Sequence, residues 1–175
     1  MLKEKYKKLL PELKKLFDLS NDLAVPKIEK VIVTVGTGSY KDKKKNDVVM
    51  ERLAKITGQK PASTAAKKSI ATFKLRQGDI SGAKVTLRGE RMYNFLDRLI
   101  NVAIPRERDF RGLKPESVDE MGNLSIGFKE HTIFPETADE DIKDIFSFGV
   151  TICTTACNRN QALTLFNVLG FPFKK

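Results

Sequence analysis

Residues 84–103 change hydrophobic period once, and that change constrains the fold more than any other stretch. Lys84-Val85-Thr86-Leu87-Arg88 alternates polar and apolar side chains, the period of a half-buried strand. From residue 90 to 103, Met92, Phe95, Leu96, Leu99, Ile100 and Ala103 recur at helical spacing, and Pro105 is expected to bound that helix. A strand with one polar face that runs straight into an amphipathic helix suits a sheet covered on one side only. Lys84, Thr86 and Arg88 then share the uncovered face, and Val85 and Leu87 the covered one.

The rest of the chain supplies the partners. Tyr6, Leu9, Leu10, Leu13 and Phe17 predict a helix over 2–17, with Pro11 as a point for a kink or a later start. The β-branched run 28–35 predicts a strand ended by Gly36 and Gly38, followed by a helix to about Thr57 with Val49, Leu53 and Ile56 on one face. Residues 69–76 and 83–88 are read as a hairpin joined through 77–82. Lys74 and Arg76 would then extend the polar face from the partner strand. Short strands are expected at 123–129 and 148–155, and a last helix at 159–169 between Asn158 as N-cap and Gly170. The hairpin argues against a purely parallel sheet. The expected class is α+β: a single domain over 1–175 with a largely antiparallel β-sheet and helices packed on one face.

Charge is segregated along this frame. Residues 1–115 hold 27 Lys and Arg against 13 Asp and Glu, a net of +14; residues 116–175 hold 5 against 9, a net of −4. The basic part suits a polyanion, and the acidic-leaning part suits another role. Several classes drop out. No apolar run approaches the ~18 residues of a membrane span, so no membrane partner is expected. The first residues carry no export signal, and the two cysteines cannot build a disulfide framework, so a cytoplasmic protein is expected.

Chemistry-bearing motifs are weak. Gly36-Thr37-Gly38-Ser39 begins like a dinucleotide fingerprint, but Lys41 stands where the third glycine belongs. A tight turn beside Lys41, Lys43, Lys44 and Lys45 is the better reading, and a plausible phosphate corner. Cys153, Cys157 and the single His131 do not make a zinc site, and buried structural cysteines are expected. Glu136, Asp139, Glu140, Asp141 and Asp144 match no calcium loop. No catalytic residue, metal or cofactor is expected. A face of Lys, Arg and Thr on a sheet instead suits phosphates and ribose hydroxyls, the alternative being an ordinary solvated face.

The segments GQKP (58–61), FKLRQG (73–78), KVTLRGERM (84–92), RDFRGL (108–113), FPE (134–136) and the terminal FPFKK resemble those of bacterial-type large-subunit ribosomal protein five. The resemblance runs in order from about Val25 to Lys175. It implies a structural constituent of the large ribosomal subunit, in the central protuberance beside other ribosomal proteins. It implies binding to 5S rRNA and large-subunit rRNA through Thr34, Gly36, Lys43, Lys44, Gln59, Lys67, Lys68, Lys74, Arg76, Lys84, Thr86 and Arg88. The loop of Gln77, Gly78, Asp79, Ile80, Ser81, Gly82 and Ala83 would approach the P-site tRNA. Glu136, Asp139, Glu140, Asp141 and Asp144, after Phe134, would reach a small-subunit head protein. Thr34 stands where the family usually has Asn, Ala65 where it usually has a basic residue, and Asp79 in a tip that is commonly more apolar. Two readings compete: a generic duplex-DNA binder, which lacks a helix-turn-helix, finger or zipper signature, and an enzyme at the GTGS turn, which lacks a general base.

Overall fold

β-branched residues crowd β1, Ile28–Gly36, in the computed structural model, which describes residues 2–38, 43–108, 110–137 and 145–174, with the backbone alone at 43 and 44. Val31, Val33 and Val35 are buried, whereas Thr34 and Gly36 are exposed. The same alternation recurs in β3 (Ile80–Leu87), β4 (Leu124–Phe128) and β5 (Phe148–Thr154). It marks a sheet with one apolar face. With the short β2 (Ala62–Ala65), the strands are hydrogen-bonded in the order β2-β3-β1-β5-β4. Neighbours are antiparallel. The Thr37 N–H beyond the end of β1 donates to the Ser81 carbonyl near the start of β3, and the Thr155 N–H beyond β5 donates to the Lys27 carbonyl before β1. The α+β class and its antiparallel sheet therefore stand as expected.

Four longer helices accompany the sheet among the described residues. α1, Leu2–Leu16, runs through Pro11, which is exposed. α2, Lys43–Thr57, buries Val49, Leu53 and Ile56. α3, Gly89–Arg98, buries Met92, Phe95 and Leu96, then continues through a widened π turn, Leu99–Ala103, into a last turn, Ile104–Arg106. Pro105 thus lies inside the final turn and does not bound the helix. The widened turn directly precedes it, where a tight helix would drive the ring into the carbonyl four residues back. α4, Arg159–Leu169, ends at Gly170, whose φ of 98° closes the helix in the left-handed region. Asn158 occupies the N-cap position, but its side chain accepts no capping bond.

The hairpin differs from the sequence expectation. The strand paired with β3 is β2, in the register Ala62↔Lys84, Ser63↔Ala83, Thr64↔Gly82 and Ala65↔Ile80, with an irregularity between Thr64 and Ala65. Residues 69–76 form no long strand. Ile70 and Leu75 exchange both backbone bonds around a 3-10 turn, Ala71–Phe73, and Lys74 follows in the left-handed region at φ 53°. Local side chains replace the ladder: Ser69 Oγ accepts from the Gln77 N–H at 2.9 Å, and Asp79 Oδ2 accepts from the Arg76 N–H at 2.8 Å. An extended-looking run is therefore folded back on itself.

By its contacts the chain divides into two compact units, each drawing on parts of the same strands: Met1–Val31, Leu87–Ile126 and Thr151–Lys175 form one, and Ile32–Thr86 and Gly127–Val150 the other. In the first, α1 packs on α3 and on α4. Lys3 pairs with Glu90 at 3.0 Å, Lys5 Nζ donates to the Leu169 carbonyl at 2.8 Å, and the Tyr6 hydroxyl donates to the Pro26 carbonyl at 3.1 Å. Its interior holds Leu13, Phe95, Leu96, Leu99, Leu165 and Phe166. In the second, Val33, Val35, Leu53, Ile56, Val85, Phe134 and Phe148 are buried. There Phe128 stacks on Phe148 with centroids 4.9 Å apart.

Candidate nucleic-acid interface

In the second unit, the face opposite the buried valines carries Ile32, Thr34 and Gly36 from β1, Lys84 and Thr86 from β3, and Gly149 from β5. Lys84 and Thr34 are exposed and Thr86 is half-buried, as alternation requires. Thr34 Oγ1 lies 3.5 Å from the Gly149 carbonyl, at the limit of a hydrogen bond. Gln59 is brought alongside by the turn after α2. The Thr57 hydroxyl donates to the Leu53 carbonyl at 2.7 Å and lies 3.1 Å from the Gln59 carbonyl, while Gln59 Nε2 donates to the Thr86 carbonyl at 3.3 Å. The result is a low surface of small and hydroxyl-bearing side chains with a cation and an amide beside it. A phosphate backbone can approach such a surface closely and meet donors for its oxygens and for 2′-hydroxyls. Thr34, Gln59, Lys84 and Thr86 are brought together.

Other expected residues are distributed differently. Arg88 lies in the first unit, exposed at the N-cap of α3. Lys67, Lys68, Lys74 and Arg76 are exposed on the closed loop that replaces the expected strand, so Lys74 and Arg76 do not extend the sheet face from a paired strand. That loop is clipped to itself, with the Ala66 N–H on the Asp79 carbonyl at 2.8 Å and the Gly78 N–H on the Ala66 carbonyl at 3.0 Å. Phe73 stands out at 69% exposed. Of the segment expected as a tip, only Gln77, Gly78 and Asp79 precede β3. Ile80, Ser81, Gly82 and Ala83 are within it, the last two buried. Gly82 is required there: a Cβ would lie 2.6 Å from the Val35 carbonyl oxygen and 2.9 Å from Thr64 Oγ1.

The phosphate corner is less open than expected. The Thr37 N–H is already spent on the Ser81 carbonyl at 2.9 Å. Gly36 and Gly38 are exposed, but residues 39–42 and the side chains of Lys43 and Lys44 lie outside the described residues. So do Asp139, Glu140, Asp141 and Asp144, whereas Glu136 is exposed in a short 3-10 turn, Pro135–Thr137.

The reactive-looking side chains have structural surroundings. His131 is fully buried, stacked on Phe146 at 4.1 Å and with Nε2 3.4 Å from an Arg52 guanidinium nitrogen. Cys153 is half-buried and Cys157 exposed, which corrects the expectation that both are buried. Both fall at or beyond the end of β5, where alternation points Cys153 to the uncovered face. Burial pushes the Cys153 thiol up, so it is a neutral thiol near pH 7. Among the described residues, no group of three or more His, Cys, Asp or Glu could hold a metal ion.

The sequence reading missed the small residues that keep the open face low. Gly149 belongs to it in the second unit. In the first unit, Ser125 and Thr151 hydroxyls meet at 3.3 Å on the uncovered side of β4 and β5. Glycine, serine and threonine at alternate positions of a short strand were the available signal.

The comparisons agree along the chain. Residues 21–76 match the family described as "Ribosomal protein L5", and residues 80–173 match the C-terminus of the same ribosomal protein family. The chain is similar to the "Large ribosomal subunit protein uL5" of Halothermothrix orenii, 49% identical over 100% of this chain and 99% of the relative. That of Rubrobacter xylanophilus is 47% identical over 99% of this chain and 97% of the relative. That of Natranaerobius thermophilus is 51% identical over 93% of this chain and 92% of the relative.

Proposed function

This chain belongs to the ribosomal protein L5 family, a structural constituent of the large ribosomal subunit and not an enzyme, and from that premise we propose that its open sheet face binds 5S rRNA. The observation that carries the reading is the convergence of Thr34, Gln59, Lys84 and Thr86 on one low polar surface. Lys84 neutralises phosphate, and the hydroxyls and amide meet sugar and phosphate oxygens. Lys67, Lys68, Lys74, Arg76 and Arg88 add phosphate contacts outside that face, together with Lys43 and Lys44 at the start of α2, and Gly36 adds one at the end of β1.

Further assignments extend this reading. The clipped loop ending in Gln77, Gly78 and Asp79 approaches the P-site tRNA, with its four exposed cations supplying attraction. The segment from Glu136 through Asp144 carries five carboxylates and one lysine, which suits a basic small-subunit head protein. Contacts with large-subunit rRNA and neighbouring central-protuberance proteins complete the expected partners, in one ribosomal-protein domain. A competition at matched salt tests the core of the proposal. Labelled 5S rRNA should resist displacement by a DNA duplex of equal length, whereas equal competition would leave only a generic polyanion binder.

A further inference from the structure

A cavity of about 210 Å³ lies in the second unit, walled by Thr37 at the end of β1, Asn46, Asp47 and Met50 from α2, Ser63 from β2, and the start of β3. Thr37 is only 2% exposed, and its hydroxyl has no hydrogen-bond partner in the protein. Asn46 Oδ1 is likewise buried and unpartnered. Buried polar atoms are nearly always satisfied, so two orphans on one cavity point to a ligand that satisfies them.

We propose that this cavity receives one nucleobase swung out of the bound RNA, a base that bears an exocyclic amine. The inference rests on the RNA-binding reading above. Size supports it: an engineered cavity of about 150 Å³ admits benzene, whereas drug-sized ligands occupy roughly 300–1,000 Å³. A single base is the right scale. The walls are divided as a planar heterocycle requires. Met50, Ile80 and Ala83 offer apolar surface to ring faces, and the Thr37 hydroxyl, Asn46 amide and Asp47 carboxylate offer polar groups to a ring edge.

The set is rich in acceptors, since Asp47 only accepts and Asn46 can present its oxygen. Guanine, adenine and cytosine bring amine donors to such a set; uracil does not. A phosphate is disfavoured by the same carboxylate. Thr37 and Ala83 lie on the helix-covered side of the sheet, opposite their neighbours Gly36 and Lys84, so the base reaches the cavity around an end or edge of the sheet and not across the open face.

The test uses the full chain and 5S rRNA. Thr37→Val removes the hydroxyl while keeping the side-chain shape, and Ser63→Phe narrows the cavity from an exposed position on the edge strand. Circular dichroism confirms folding, and Thr37→Val decides alone if Ser63→Phe does not fold. Affinity, its salt slope and chemical protection of base Watson–Crick edges are then compared. The expected result is one amine-bearing base protected by the wild type and released in the variants. Affinity should fall about 5- to 100-fold, with the salt slope unchanged. An abasic residue at that nucleotide should reproduce the loss for the wild type and add nothing in Thr37→Val. Variants that bind like the wild type, with base protection intact, overturn the cavity assignment alone. A wild type that does not bind 5S rRNA overturns the RNA-binding reading, and this inference with it.

Discussion

Gln59 lies two residues past the end of α2 and donates its side-chain amide to the Thr86 carbonyl on β3 at 3.3 Å. The bond fixes the turn against the strand and leaves the second amide N–H and the amide oxygen for a ligand. Gln59→Ala should cost about 0.5–1.5 kcal/mol of stability. Affinity for 5S rRNA should fall about 2- to 10-fold, the equivalent of one neutral hydrogen bond. Urea unfolding and an RNA titration measure the two effects separately.

Arg88 is exposed at the N-cap of α3. A carboxylate there interacts favourably with the helix dipole, so Arg88→Glu should leave the thermal midpoint at or slightly above the wild-type value. RNA affinity should nonetheless fall, and its salt slope should shrink by about 1, as expected for one lost phosphate contact. An unchanged titration would remove Arg88 from the interface.

Leu99 is fully buried at the first position of the widened turn that continues α3. Leu99→Ala removes three carbons from a packed interior and should destabilise the protein by about 2–5 kcal/mol. Denaturant midpoints check this, and RNA binding by the folded fraction should not change.

The phenols of Tyr6 and Tyr93 are raised above 10.0, chiefly by burial, with their mutual proximity adding to Tyr6. Their folded values exceed the unfolded value, so the folded state holds these protons more tightly. The stability this gives is whole below pH 10.0 and is lost as pH rises through the folded values. Stability of the wild type should therefore fall more steeply above pH 10.0 than that of the Tyr6→Phe, Tyr93→Phe double variant. Parallel curves through that window would contradict the assignment.

Much of the fold was legible because its period is local. The alternation of β1, β3 and β5 and the stripes of α2, α3 and α4 each follow from residues within one element. Pro105 misled because a helix can widen by one residue before a proline, an option that periodicity does not register. Residues 69–76 misled because Ser69 and Asp79 satisfy backbone N–H groups that a strand would have paired, and Lys74 adopts a left-handed conformation that no glycine announced. Lys84, Thr86 and Gln59 were singled out from spacing and resemblance, and the structure brings them together on one strand and the turn beside it. The Thr37–Asn46 cavity was not legible, since it joins four elements and is defined by polar atoms that lack partners.

The central claim is that one particular face, and not basicity in general, binds 5S rRNA. The direct measurement compares Lys84→Glu with Lys8→Glu, an equal change of charge at an exposed position on α1, in 5S rRNA titrations at several salt concentrations. The account predicts that Lys84→Glu loses about tenfold or more in affinity and lowers the salt slope by about 1, while Lys8→Glu stays close to the wild type. Equal losses from the two variants would contradict it.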